Sequence, residues 1–174
     1  MTLYDRILVP TDGSPEGRRA VGHAVALADA HEAIVSGLYV INTASYNGLP
    51  METSWEGVRT LLNTDGQAAL NVIESLAAER GVAVETEIAE GSPAKEIIRT
   101  AENQACDLIV MGTHGRGGLN RLLLGSVAEK VVRGAHIPVM TVRIDKSMAE
   151  SVATTAETDA ESDADGPLPA DLSS

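Results

Sequence analysis

Three glycines between an apolar run and a helical stretch could bind a phosphate group. Gly112, Gly115 and Gly125 follow the pattern glycine, two residues, glycine, nine residues, glycine, and Ser126 comes directly after the last of them. Because glycine has no side chain, the backbone N–H groups of such a loop can approach an anion closely. A helix that begins behind Ser126 would add free N–H donors and the positive end of its dipole. The pattern therefore indicates phosphate binding, and a nucleotide is the commonest phosphate carrier with a flat apolar end.

Charged side chains near two predicted loops could complete such a site. Asp12 follows the first predicted strand, where a carboxylate can contact a ribose hydroxyl or hold a metal ion through the phosphates. Arg116 and Arg121 lie within the glycine loop, where either could pair with phosphate oxygens. Simpler interpretations are a turn role for Asp12 and a solvated position for one arginine. Beside a predicted phosphate loop, we favour the functional interpretation of Asp12.

Three other residues could take part in chemistry or ligand binding, but each also has a simpler structural interpretation. His114 is predicted to be an exposed polar residue of the glycine loop rather than a catalytic base. Cys106 lies between a helical face and a strand, so that a buried small hydrophobic role is favoured over that of a nucleophile. Val40, near the end of the second strand, could contact a purine or belong to the ordinary core.

Sequence signatures of several enzyme classes are missing. There is no G-x-x-x-x-G-K-[ST] loop, and the dinucleotide fingerprint fails because position 120 is not glycine. Neither G-x-S-x-G nor H-E-x-x-H occurs, and the histidines show no metal-ligand spacing. Phosphate binding is therefore supported, while no catalytic residue and no protein-held metal ion is predicted.

Composition narrows the class of protein. The 174 residues suit one domain with a tail, and 44% hydrophobic residues with only 2% aromatic ones predict an aliphatic, alanine-rich core. No apolar run reaches about 18 residues, no signal-peptide organisation is seen, and the single cysteine fits a reducing compartment, so we predict a cytoplasmic location. A net charge of −12 argues against nucleic acid and anionic membranes as partners. The shortage of lysine suggests a halophilic, high-salt cytoplasm.

Hydrophobic periodicity predicts five strands that alternate with four helices. Strands are expected at 4–10, 33–41, 82–89, 107–111 and 137–143. Helices are expected at about 14–31, 54–80 and 125–134, and a further helix is expected to start at 92. This alternation predicts an α/β fold with an open, mostly parallel five-stranded sheet, helices on both faces and strand order 3-2-1-4-5. In that order the loops after strands one and four are neighbours, at the place where such sheets bind ligands.

The second helix is the least regular of the predicted elements. It is expected to break near Asn63–Gly66 and to end at Gly81. Its expected buried residues are Val58, Leu61, Leu62, Val72, Ile73 and Leu76. Residues 145–174 are small, acidic and proline-containing, so an acidic disordered tail is predicted beyond a nucleotide-binding domain at 1–144.

Residues 1–144 resemble the universal stress protein family. Both the opening segment, which runs from Tyr4 to Ser14, and the segment from Met111 to Arg133 look typical of it. The family's ATP-binding branch is marked by Gly-x2-Gly-x9-Gly-[Ser/Thr], and this sequence satisfies that pattern without a departure.

The resemblance implies a set of ligand contacts. In that branch the aspartate after strand one, here Asp12, contacts ribose, while residues at the ends of strands one and two meet the adenine. The implied positions are Pro10, Thr11 and Val40 around adenine, Met111 and Gly112 at the nucleoside, and Gly115, Arg116, Gly125, Ser126 and Val127 around the phosphates. The implied cofactor is ATP, or AMP, with Mg²⁺ or Mn²⁺.

The resemblance also implies a homodimer, formed by edge-to-edge pairing of strand 137–143, and a role as a nucleotide-dependent sensor or regulator in the stress response. Pairing is physically sensible because an apolar edge strand needs cover. Two alternatives stay open at this point. One is a slow ATPase or nucleotidyl-transfer enzyme, and the other is an interaction protein that binds no nucleotide.

Overall fold

The computed structural model describes residues 2–46, 55–114 and 124–143. Within these ranges lie five strands, β1 to β5, which form one parallel sheet of order β3-β2-β1-β4-β5. The predicted fold class and strand order are therefore confirmed. The strands are β1 Arg6–Pro10, β2 Ile34–Asn42, β3 Val84–Gly91, β4 Leu108–Gly112 and β5 Val139–Val142.

Four α-helices cover the sheet, two on each face. Helices α1 and α2 pack on a core that includes Ile7 and Val35, whereas α3 and α4 pack on a second core that includes Leu8 and Ile109. This arrangement follows from right-handed crossovers between parallel strands. The helices are α1 Pro15–His31, α2 Trp55–Glu79, α3 Pro93–Asn103 and α4 Ser126–Gly134, and a short 3₁₀ helix at Thr43–Tyr46 follows β2.

Local sequence signals explain where helix α1 begins and where helix α2 ends. At the start of α1, the Ser14 hydroxyl accepts a hydrogen bond from the Gly17 N–H at 3.1 Å, and Pro15 occupies the first helical position. At the end of α2, Gly81 has a φ of +67°. The N–H groups of Gly81 and Val82 donate to carbonyl groups of the last helical turn, at 3.1 and 2.9 Å. This is a Schellman ending, as the glycine predicted.

Two expectations about the second helix are wrong. No break occurs near Asn63–Gly66, since α2 runs without interruption through Gly66, which is buried against the sheet. Leu61 is 62% exposed rather than buried. Successive helical residues are rotated by about 100°, so that Leu61 turns away from the sheet while its neighbour Leu62 packs against the core.

The inner strands β1 and β4 are buried on both faces, as is typical of parallel strands that lie between two layers of helices. Ile7, Leu8 and Val9 of β1 are fully buried, and β4 pairs directly with β1. A single carboxylate oxygen of Asp107 accepts hydrogen bonds from the backbone of Asp5 and Arg6, at 2.7 and 2.9 Å, and fixes the starts of both strands side by side. Their carboxyl ends therefore emerge together on the opposite edge. No helix in the described ranges is both long and apolar enough to span a membrane.

Candidate functional site

A cleft of about 640 Å³ opens at the carboxyl ends of β1, β2 and β4. Strand order reverses at this point of the sheet, since β2 lies on one side of β1 and β4 on the other. Open α/β sheets bind their ligands at such a position. The N-terminal parts of α3 and α4 also line the cleft, through Pro93, Ile97 and residues 125–128.

Every predicted site residue that the structure describes lines this cleft. They are Pro10, Thr11, Asp12, Val40, Met111, Gly112, Gly125, Ser126 and Val127. Gly115 and Arg116 lie outside the described residues, as does Arg121. The fold thus brings together the loop after β1, the end of β2 and both ends of the glycine loop.

The loop after β1 is held in one shape by its own side chains. A carboxylate oxygen of Asp12 accepts a hydrogen bond from the Ser14 N–H at 2.9 Å, and the Thr11 hydroxyl oxygen accepts one from the Gly13 N–H at 3.2 Å. Gly13 has a φ of +77°, which glycine adopts without strain. The turn interpretation of Asp12 is therefore correct, and the same turn sets its carboxylate at the wall of the cleft.

Gly112 and Gly125 of the motif lie where two segments of the chain approach each other closely. A Cβ atom at Gly112 would lie 3.3 Å from the backbone carbon of Glu16 in α1. A Cβ atom at Gly125 would lie 3.1 Å from the carbonyl oxygen of Thr113, which accepts a hydrogen bond from the Gly125 N–H at 2.8 Å. The glycines therefore let β4, α1 and the start of α4 meet at the cleft floor.

The beginning of α4 presents backbone donors to the cleft. Gly125 is the N-cap, with φ −62° and ψ 157°, and no side chain within the described ranges caps this helix. The first intrahelical bond runs from the Glu129 N–H to the Gly125 carbonyl, at 2.9 Å. Residues 126–128 consequently contribute first-turn N–H groups to the cleft wall, where the positive end of the helix dipole favours an anion.

The residues that line the cleft are mostly apolar or neutral. Among the lining residues that the structure describes, only Asp12 and His114 can carry a charge, and no lysine or arginine is present. The described residues also contain no group of three or more His, Cys, Asp or Glu side chains placed to hold a metal ion. An anion in this cleft would be met there chiefly by backbone dipoles.

Comparison with known proteins decides the family. The model of the universal stress protein family matches residues 3–143, which is most of the chain. The chain belongs to the universal stress protein family. Universal stress protein MJ0531 of Methanocaldococcus jannaschii is 47% identical over 144 residues, which cover 83% of this chain and 85% of that relative.

Solved structures of other universal stress proteins share the fold. MJ0577 of Methanocaldococcus jannaschii superposes with a TM-score of 0.76 at 30% identity, covering 83% of this chain and 99% of the other. A universal stress protein solved in complex with cAMP superposes with a TM-score of 0.59 at 25% identity, covering 80% of this chain and 96% of the other.

In this universal stress protein, the sequence-based prediction is wrong for one residue of the site and does not include another. The His114 side chain is only 8% exposed, so the expectation of an exposed loop residue is wrong. It is buried because it packs beside Thr113 and the Glu16 carboxylate of α1. Glu16 was overlooked because in the sequence it is an ordinary acid of a first helical turn. Its partner Thr113 lies 97 positions further along, and no local pattern signals that contact.

Proposed function

We propose that this universal stress protein belongs to the family's ATP-binding branch and acts by binding an adenine nucleotide. The observation that carries the proposal is the convergence of three parts on one cleft: the Asp12 turn, the apolar end of β2 at Val40, and the uncapped start of α4 behind Gly125. A volume of about 640 Å³ is in the range that small-molecule sites occupy. The relative solved with cAMP supports an adenine ligand.

Each part of the cleft suits one part of the nucleotide. Pro10, Val40 and Met111 offer apolar surface to a base, and the Asp12 carboxylate can accept a hydrogen bond from a ribose hydroxyl. The N–H groups at the start of α4 suit the phosphates, and the spacing of the motif assigns Gly115 and Arg116 to the same task. We assign ATP or AMP as the ligand on this basis.

A divalent cation is part of the proposal. Mg²⁺ or Mn²⁺ would be held by the phosphate oxygens of the nucleotide, because oxygen ligands are those that such hard cations prefer. When bound, the cation would neutralise part of the phosphate charge. The lining residues that the structure describes include no lysine or arginine that could do so.

The protein is proposed to act as a nucleotide-dependent sensor or regulator in the cytoplasm, as a homodimer formed through β5. No step of chemistry is assigned to a side chain. ATP turnover that is well above background, and that disappears on Asp12→Ala, would instead favour a slow ATPase or nucleotidyl-transfer enzyme.

The nucleotide that copurifies with the protein tests this proposal most directly. The protein is denatured, the released ligand is analysed, and the same protein freed of ligand is titrated with Mg-ATP at high salt. We expect near-stoichiometric adenine nucleotide. A wild-type protein that is empty and does not bind added Mg-ATP would contradict the proposal and favour a protein whose partners are other macromolecules.

A substitution at the start of α4 tests the placement of the phosphates. Gly125→Val adds a side chain where a Cβ atom would already lie 3.1 Å from the Thr113 carbonyl oxygen. We expect ATP binding to be lost while the thermal unfolding transition remains cooperative. Gly22→Val is the matched control, because a Cβ atom at that α1 position meets nothing within 4 Å. Normal ATP binding by the Gly125 variant would contradict the proposed site.

A further inference from the structure

One carboxylate connects helix α1 to the start of the glycine loop. Glu16 lies in the first turn of α1, and its Oε2 atom accepts two hydrogen bonds. One comes from the Thr113 hydroxyl at 3.0 Å and the other from the backbone N–H of His114 at 2.9 Å. The contact is well sheltered, because Thr113 is buried and the Glu16 side chain is 21% exposed.

The same contact orients the His114 ring. The Thr113 hydroxyl has a single proton, and an ionised carboxylate can only accept, so this proton goes to Glu16. The Nδ1 atom of His114 lies 3.0 Å from the Thr113 hydroxyl oxygen and must therefore be the donor of that pair. The hydrogen-bond pattern thus places a proton on Nδ1, in a chain that runs from His114 through Thr113 to Glu16.

Thr113 and His114, which donate hydrogen bonds to Glu16, both line the cleft. The Thr113 carbonyl accepts the hydrogen bond from the Gly125 N-cap of α4, and Gly112 packs directly on the backbone of Glu16. The position of the α4 N-terminus relative to β4 consequently depends on the conformation of Thr113 and His114. Glu16 is a side chain of α1 that bonds to both members of this pair.

We propose that Glu16 is a positioning residue of the nucleotide site, which aligns Thr113, His114 and the start of α4 for the phosphates without contacting the ligand's base. This inference rests on the proposed function, since it assigns a residue to that same cleft. It predicts that an acceptor oxygen at the right distance is needed, and that the negative charge itself is not.

A series of variants at Glu16 separates these requirements. Glu16→Gln keeps an acceptor oxygen at the same distance, Glu16→Asp keeps the charge but is one methylene shorter, and Glu16→Ala removes both. Glu56→Ala is the matched control, because Glu56 is also an acid in the first turn of a helix and is exposed. Thr113→Val and Thr113→Ser test the hydroxyl independently, should a Glu16 variant fail to fold.

Isothermal titration calorimetry with Mg-ATP and with adenosine measures the affinity of each variant for both ligands. We expect Glu16→Ala, Glu16→Asp and Thr113→Val to weaken Mg-ATP binding about tenfold, the size that loss of a hydrogen bond can produce. Glu16→Gln, Thr113→Ser and Glu56→Ala should bind Mg-ATP within about twofold of the wild type. Adenosine should bind all variants alike, because it lacks the phosphates that α4 positions. A general loss of structure would weaken both ligands equally and would overturn the inference.

Amide hydrogen exchange in the ligand-free protein tests the contact itself. In Glu16→Ala the His114 amide should exchange at least about tenfold faster, because it loses its acceptor, while Glu16→Gln should protect it as the wild type does. Amides of β1 should exchange at unchanged rates. Wild-type protein that binds no Mg-ATP would overturn the proposed function. Wild-type protein that binds it, alongside a Glu16→Ala variant of equal affinity, would overturn only the role of Glu16.

Discussion

Gly66 of α2 lies directly against the ring of Tyr39 in β2. A Cβ atom at position 66 would be 2.7 Å from Cδ1 of that ring and 3.2 Å from Cδ1 of Ile88 in β3. Tyr39 itself is only 7% exposed. The glycine therefore marks a place where the helix packs closely on the sheet, and the helix continues through it.

Gly66→Ala should destabilise the protein, although alanine is the better helix former. The added methyl group meets an aromatic ring packed within a buried cluster, and such overpacking typically costs about 1–3 kcal/mol. Gly57→Ala in the same helix should stabilise it by about 0.5–1 kcal/mol, since that position opens to free space. Urea unfolding of the two variants measures both effects. Equal changes in the free energy of unfolding would show that contact with Tyr39 does not explain Gly66.

Cys106 should make stability fall at alkaline pH. Burial raises the pKa of its thiol from 9.0 to about 11, and the nearby Arg6 guanidinium offsets only part of this effect. Between these two values the unfolded chain loses the thiol proton while the folded chain keeps it, so the free energy of unfolding decreases as pH rises. The loss should reach about 2 kcal/mol.

Urea unfolding from about pH 8 to about pH 11 measures this loss against a Cys106→Ala variant, which has no thiol to titrate. The stability difference between wild type and variant should shrink across that range. A difference that is independent of pH would show that the folded and unfolded thiols ionise alike.

Thr141→Pro should abolish the proposed dimer without disturbing the sheet. The carbonyls of Pro138 and Val142 accept hydrogen bonds from the N–H groups of Ile109 in β4 and Thr113 just after it, both at 3.0 Å. The alternate residue Thr141 therefore directs its N–H towards the free edge. Proline there removes a donor from the edge and leaves the bonds to β4 intact. Light scattering during gel filtration should show a dimer for the wild type and for Thr141→Val, and a monomer for Thr141→Pro. A dimeric proline variant, or a monomeric wild type, would contradict pairing through β5.

Salt should stabilise this acidic protein. A net charge of −12 produces self-repulsion, which ions screen. Raising KCl from about 0.1 M to about 2 M should therefore increase the unfolding temperature by several degrees. A variant that carries Asp29→Lys and Glu79→Lys, two exposed acids near the ends of α1 and α2, should gain less from salt. An equal gain in both proteins would argue against charge screening and against the proposed halophilic adaptation.

Much of the fold could be predicted because its signals are local. The Ser14-Pro15 start of α1 and the Gly81 end of α2 involve only neighbouring residues. Strands β1 and β4 are apolar runs, and β3 alternates between apolar and polar residues. The spacing from Gly112 to Gly125 likewise marked the segment between β4 and α4. These features depend on backbone conformation within a few residues, which residue type alone controls.

The tertiary structure decided what distant residues do to one another. Gly66 packs against the ring of Tyr39, and His114 bonds to Glu16, which lies 98 positions earlier. A short-range pattern contains no information about such pairs, because their energy comes from packing and hydrogen bonds that exist only after the sheet has assembled. The sequence by itself determined most of the elements of this protein and the glycine spacing between β4 and α4. Only the assembled fold decided that Glu16 of helix α1 bonds to Thr113 and His114.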